Sequence, residues 1–382
     1  MRFLTGGESH GPCLTVILDG VPAGLEIACK SIDHELARRQ AGHGRGERMR
    51  IERDSVELLG GVLAGQTTGA PVVFRIANLD GGNWKARWEA GDLPPVPVPR
   101  PGHADWAGMR KLGLDDARPI LERASARETA ARVAAGAVAK LLLRRFDIEV
   151  GSHVESIGDV EAPSAMAEDG RADWPSVWSR AEESPVRCAD AIAGDRMMRA
   201  IDAASEAGES LGGTFCVAAV GVPAGLGSFA QWDLRLDAEL ARALVSIPAI
   251  KGVEVGRAFA NARRVGTAVH DGWSLVEGGD AVRATNRAGG VEGGMSNGEP
   301  IVVRAAMKPI PTTVSPQVSV DVRTGRAART AYERSDVCAV PAAAVVGEAM
   351  VAWTIAVALR DKLGGDGLDE MMAHHRSWGD HG

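Results

Sequence analysis

The sequence repeats itself, and that repetition restricts the folds open to it more than any other feature. Gly20-Val21-Pro22-Ala23-Gly24-Leu25 returns as Gly221-Val222-Pro223-Ala224-Gly225-Leu226. Asp33-His34-Glu35-Leu36-Ala37-Arg38 is echoed by Asp237-Ala238-Glu239-Leu240-Ala241-Arg242, and Gly69-Ala70-Pro71-Val72-Val73-Phe74-Arg75 by Gly298-Glu299-Pro300-Ile301-Val302-Val303-Arg304. Glu122-Arg123-Ala124-Ser125 and Glu333-Arg334-Ser335-Asp336 each stand just before a long apolar segment. Matches in the same order in both halves predict a tandem duplication, with two similar units related by a pseudo-twofold axis. The units run over about 1–150 and 205–365, and the segment at about 155–202 has no counterpart and reads as an insertion.

Each unit reads as strand, Pro-Gly turn, helix, Gly-rich hairpin and long helix. Leu14–Leu18 and Phe215–Val220 have the composition of short strands. Ala126–Phe146 reads as a helix opened by a Ser125/Glu128 capping box. Pro341 suits the first turn of another helix, and Gly364-Gly365 stops it. Two such units packed with sheets outside and apolar helices inside give an α+β fold, a layered β-α-β sandwich, over a single catalytic domain of residues 1–382.

The composition excludes several classes. A net charge of −7 argues against a general nucleic-acid binder, so any anion site must come from local clustering. The five cysteines are odd in number and widely spaced, which fits a reducing, cytoplasmic setting better than a disulfide or zinc scaffold. The opening MRFLTGGESH turns polar before the apolar core of a signal peptide could form. Pro341–Leu359 is long enough to cross a bilayer, but it is Ala- and Val-rich, holds Gly347 and Glu348, and is expected as a buried helix. No membrane and no nucleic acid are expected as partners.

Short segments could carry chemistry. In Gly6–Gly11, glycines permit close ligand approach and His10 could move a proton; an incidental histidine in a turn reads equally well. Arg38, Arg39, Arg45, Arg48, Arg50 and Arg53, spaced by Gly42, Gly44 and Gly46, suit a small polyanion. Glu47, Glu52 and Asp54 also allow a salt-bridged surface, and no aromatic residue is present for base stacking. Pro99–Asp105 would hold His103 rigidly, or is a structural turn. Arg123-Ala124-Ser125 at a helix start could take a phosphate, or is a plain cap. Asp336 occupies the place of Ser125 in the repeat and could be a base, or an ordinary N-terminal helix acid. The Gly-rich Asn286–Gly298 segment is no dinucleotide or Walker loop, and the histidines are scattered, so no metal is expected.

Taken together, Gly7–Gly11, Arg38–Arg53, Pro99–Asp105, Leu121–Thr129, Thr285–Thr312 and Glu333–Glu348 resemble the chorismate synthase family across nearly the whole chain. Leu112, where the family carries tyrosine, and residues 79–98 depart from the pattern. The resemblance implies 1,4-anti elimination of phosphate from 5-enolpyruvylshikimate-3-phosphate, giving chorismate in the shikimate pathway of aromatic amino acid biosynthesis. It implies reduced FMN (FMNH2) with no net redox change, and NADPH only if the chain reduces its own flavin. A separate flavin reductase is expected, because no nicotinamide fingerprint is present. A homotetramer is implied as well. By the same resemblance His10 protonates the departing phosphate, His103 manages flavin protonation, and Asp336 assists removal of the ring hydrogen with the flavin N5. Arg39, Arg45, Arg48 and Arg127 would bind the substrate anions. Arg123, Ala124, Ser125, Pro248, Ala249, Gly293, Lys308, Pro309, Ile310, Pro311, Thr312 and Arg334 would hold the flavin, with Pro248 contributing only its backbone. A flavin oxidoreductase with another substrate, revealed by net redox, and an RNA-binding protein, revealed by steep salt dependence, are the alternatives.

Overall fold

The computed structural model describes residues 1–46, 52–275, 281–331 and 335–379. Strands β1 (Arg2–Gly6) and β2 (Cys13–Asp19), helix α1 (Cys29–Gln40), and strands β3 (Val56–Gly60) and β4 (Val72–Ala77) open the chain. The four strands form an antiparallel sheet in the order β1-β2-β4-β3. Helices α2 (Asp105–Leu112), α3 (Arg118–Ala124) and α4 (Thr129–Arg144) follow. Strands β5 (Glu149–Ile157), β6 (Gly213–Val220), β7 (Ile250–Val255) and β8 (Ile301–Met307) pair in the order β5-β6-β8-β7, strand for strand the order of the first sheet. Between β5 and β6 lie α5 (Trp174–Glu183) and α6 (Ala191–Glu206). Helix α7 (Leu236–Val245) joins β6 to β7, and α8 (Val340–Leu363) and α9 (Leu368–Gly379) close the chain. Strand β5, which precedes the segment at about 155–202, pairs in the second sheet with β6, which follows it.

Period-two patterning explains the first sheet. Leu14, Val16 and Leu18 of β2 and Val72, Phe74 and Ile76 of β4 are buried against the helices, while Thr15, Ile17, Val73 and Arg75 face outward. In β6 the run Phe215–Ala219 is buried on both faces. Its outer face is covered by the insertion, where Trp174, Val177 and Met166 cluster with Cys216, Ala218 and Val302. All five cysteines are free thiols.

The helices fill the middle layer. Gly136 of α4 lies so close to α8 that an added Cβ would meet the Ala349 Cβ at 2.3 Å, and one on Gly347 would meet the Phe215 ring at 2.5 Å. Among the described residues, α8 is the one helix long and apolar enough to cross a membrane, yet 89% of its most apolar window is buried inside the protein. Its C-terminus is set by Gly364 at φ 63°. The capping box at α4 does not form. Ser125 accepts from the Arg127 backbone N–H at 3.3 Å, but Glu128 turns instead to Arg132, whose Nε donates at 2.9 Å. That i,i+4 ion pair takes the carboxylate, so a 3-10 turn over Ala126–Glu128 precedes the α-helix.

A buried ion network ties the layers together. Glu348 of α8, 1% exposed, accepts from Arg38 Nη1 at 2.7 Å, from Ser152 Oγ at 2.8 Å and from Lys140 Nζ. Lys140 also donates to Glu35 at 2.8 Å, and Arg38 and Arg187 both bind Glu182. Arg38, expected in the anion cradle, therefore serves the core. It sits one residue from Arg39 on α1, and the roughly 100° helical step sends the two side chains to different faces.

Candidate functional site

A cavity of ≈830 Å³ opens beside the start of α8, within the roughly 300–1,000 Å³ typical of small-molecule sites. Its walls come from the loop after β1, the end of α1, the Pro99–Asp105 loop, the α3–α4 junction, the residues after α7 and β8, and the start of α8. Excluding histidines, Arg39, Arg45, Arg100, Arg123, Arg127, Arg132 and Lys308 face it against Asp80, Glu128 and Asp336. An acidic protein thus carries a cationic cleft, which concentrates small anions.

His10 lies in a loop held by Asn78, whose Nδ2 donates to the Glu8 and Gly11 carbonyls at 3.0 and 2.8 Å. Its Nδ1 lies 2.9 and 3.0 Å from the two oxygens of Glu122, which also accepts from the His10 backbone N–H at 2.9 Å. The Trp84 ring packs on His10 with centroids 4.6 Å apart. Ser9 Oγ accepts from Ser125 Oγ at 3.1 Å beside it. Burial is the largest influence on Glu122 and favours its neutral form, but the bonds to His10 outweigh it and hold the carboxyl below its usual range.

His103 has a matching partner. Its Nδ1 bonds to the fully buried Asp105, which also accepts from Arg100 Nε at 2.8 Å. Burial, the foremost influence on Asp105, is overcome by His103 and Arg100, and the carboxyl lies well below the ordinary range. Arg100 Nη1 reaches Thr312 Oγ1 at 3.1 Å and Lys308 Nζ reaches the Gly102 carbonyl at 2.7 Å, pinning the loop to the Lys308–Thr312 segment. Burial, with Lys251 adding to it, lowers the Lys308 pKa. Asp336 accepts from Arg45 Nη1 at 2.6 Å and from the Gly46 N–H at 2.7 Å.

The expected anion ligands divide. Arg127, 4% exposed, borders the cleft but its donors are committed: Nη1 to both Asp54 oxygens at 2.6 and 2.7 Å, Nε to Asn78 at 2.8 Å and Nη2 to the Ala77 carbonyl at 3.2 Å. It braces the wall rather than offering a free fork. Arg39 donates to Thr129 and Ala126, its Nη1 lies 3.6 Å from Asp54 Oδ2, and among the described residues neither that Nη1 nor Arg45 Nε has a hydrogen-bond partner. Burial lowers the Arg39 pKa to about 10, opposed by Asp54 and assisted by Arg45 and Arg127, so it stays cationic at neutral pH. Arg53 is exposed, and Arg48, Arg50 and Arg334 lie outside the described residues.

Of the residues expected to hold flavin, Arg123, Ala124, Ser125, Pro248, Ala249, Lys308, Ile310, Pro311 and Thr312 line the cleft. Pro309 and Gly293 do not. Gly293 stands in the turn between strands Val291–Glu292 and Met295–Ser296. Ile247, Pro248, Ile310, Pro311, Ala339, Ala342, Ala343 and Val346 form an apolar wall beside the cations. Ala249 is held at φ 68°, a strained conformation that its carbonyl's bond from the Lys308 N–H helps fix. Trp84, Asp80, Arg100, Glu122 and Asp105 were not anticipated as site residues. Only the Arg118/Glu122 i,i+4 spacing hinted that Glu122 would be ordered.

The fold also gathers residues that look scattered in the sequence. His153, Glu155 and Cys216 bring donor atoms within 4.8 Å of one another on the outer face of the second sheet, beside a ≈250 Å³ cavity. Arg304 Nε donates to both Glu155 oxygens at 3.1 and 2.8 Å, so that acid is balanced by a guanidinium.

The class defined by these features is a layered α+β protein with a cationic cleft at its centre. Comparison identifies the family. The chorismate synthase family model matches residues 1–359. The chain is similar to the chorismate synthases of Rubrobacter xylanophilus (52% identity, 98% of this chain and 96% of the relative) and Moorella thermoacetica (52% identity, 99% of each). A solved crystal structure of a chorismate synthase shares 43% identity and a TM-score of 0.81, covering 100% of this chain and 97% of that one. The chain belongs to the chorismate synthase family and is a carbon–oxygen lyase.

Proposed function

We propose that this lyase eliminates phosphate from 5-enolpyruvylshikimate-3-phosphate in the 1,4-anti sense, forming chorismate for the shikimate pathway, with reduced FMN bound in the ≈830 Å³ cleft. The observation that carries this reading is the pairing of an apolar wall with a cluster of guanidinium groups lining the same cleft. The apolar wall suits a flat ring, while Arg39, Arg45, Arg123, Arg132 and Lys308 line the same cleft and suit anionic groups. Both fit a flavin beside a substrate bearing two carboxylates and a phosphate. Reduced FMN, when held there, would supply electron density to the allylic system and recover it, so substrate and product would stand at the same oxidation level.

The chain's own residues do the rest. Arg39, Arg45 and Arg123 orient the anionic groups. His10 delivers a proton to the leaving phosphate, whose oxygen gains negative charge as the C–O bond breaks. His103, pinned through Asp105, Arg100 and Lys308, holds a proton at the flavin-facing wall. Asp336, fixed by Arg45 and Gly46, sits at the start of α8 to assist removal of the ring hydrogen. The enzyme works in the cytoplasm as a homotetramer and depends on a separate flavin reductase, NADPH entering only if the chain reduces its own flavin. The matching sheet orders support a tandem duplication as its origin, tested by superposing the two units' backbones.

Asp336→Asn tests the assignment. FMN affinity should stay within about twofold while turnover falls by roughly 10²–10⁴. Lost FMN binding with the fold intact would make Asp336 a structural residue.

A further inference from the structure

We propose that Glu122 is the positioning residue for His10: it fixes the imidazole with Nδ1–H inward and Nε2 toward the substrate. This rests on the reading of His10 as the proton donor. Glu122 is 3% exposed, on the inner side of α3. Its carboxylate takes His10 Nδ1 at 2.9 and 3.0 Å and the His10 backbone N–H at 2.9 Å, and its own backbone carbonyl accepts from the Ser9 N–H at 2.9 Å. One residue therefore holds the ring, the backbone and the preceding residue of the catalytic loop.

An ionised carboxylate only accepts hydrogen bonds, so neutral His10 must carry its proton on Nδ1. The donating form is the imidazolium: it keeps Nδ1–H on Glu122, passes its Nε2 proton to the leaving phosphate and is left as the neutral Nδ1–H tautomer, while Trp84 on the ring face restricts its rotation. Arg118 Nη1 donates to Glu122 Oε1 at 3.3 Å and its guanidinium lies over Trp84, 5.6 Å from the ring centroid, so it braces both groups that contain His10. The arrangement parallels the buried acid that orients the histidine of a hydrolase triad, where the amide variant leaves geometry intact but selects the wrong tautomer.

Glu122→Gln, with Glu122→Asp as the conservative control, tests this in the intact enzyme. Nitrogen NMR of the resting wild type should show the Nδ1–H tautomer of His10, and the Gln variant should lose that preference. Turnover of the Gln variant should fall by roughly 10–1,000-fold with KM within about threefold, and Asp should restore part of the rate. In a His10→Ala background, Glu122→Gln should cause no further loss, because the residue acts through His10. An Nε2–H tautomer in the wild type, or full additivity with His10→Ala, would overturn the proposal. The tautomer is read without substrate, so absence of chorismate formation alongside the Nδ1–H form would count against the proposed reaction and leave this inference standing.

Discussion

Replacing Glu348 by Gln should destabilise the fold sharply without touching the cleft. In the helix layer Arg38, Lys140 and Arg187 are balanced by Glu35, Glu182 and Glu348. Glu348→Gln keeps the volume but leaves three cations facing two anions in a region where Glu348 is 1% exposed. Removing one partner from a buried ion pair costs about 3–5 kcal/mol. Unfolding entropy near 2.1 cal/mol/K per residue gives roughly 0.8 kcal/mol/K for a chain of 382 residues, so the melting temperature should fall by about 4–6 °C. Calorimetry on wild type, Glu348→Gln and the double variant Lys140→Met/Glu348→Gln checks both magnitude and cause. The double variant restores two cations against two anions and should recover at least half of the loss. A single-variant shift below about 1 °C, or a double variant less stable than the single, would refute the reasoning.

Stability should also fall in acid. His153 is lowered from 6.5 to about 4 by burial above all, with Arg187, Arg304 and Arg180 adding to it, so below pH 6.5 the unfolded chain takes up a proton that the folded one refuses. Stability is lost as pH drops from about 6.5 towards 4, and melting curves of His153→Gln should lack that component. Glu182 is held at about 2 against an ordinary 4.5, Arg38 and Arg187 overcoming the effect of burial, and its contribution disappears between those values. His10→Ala and His103→Ala should each slow turnover by roughly 10²–10⁴-fold in steady-state assays, and near-normal rates would remove that histidine from the mechanism. Gly136→Val should destabilise by about 1–3 kcal/mol or more in thermal unfolding, because the side chain must enter the α4–α8 contact.

The layered fold was legible because its signals are local and doubled. Glycine turns and apolar strands recur at matching places, and Pro341 and Gly364 mark the ends of α8. The site was legible only in part. His10, His103 and Asp336 stand in distinctive short segments, and all three meet in one cleft. The arginine cluster was not separable by sequence, since neighbours on α1 point to different faces. Arg127 looked available because Asp54 and Asn78, which occupy it, lie 73 and 49 residues away. The contacts of Glu122 with His10 and of Asp105 with His103 were hidden because they depend on which histidine the fold brings against each acid.

The most direct measurement is an anaerobic reaction with 5-enolpyruvylshikimate-3-phosphate and chemically reduced FMN, following chorismate, phosphate and flavin absorbance together. Equal release of chorismate and phosphate, with the flavin still reduced at the end, is the predicted result. Absence of product under strictly reducing conditions, or oxidation of flavin in step with turnover, would contradict the account.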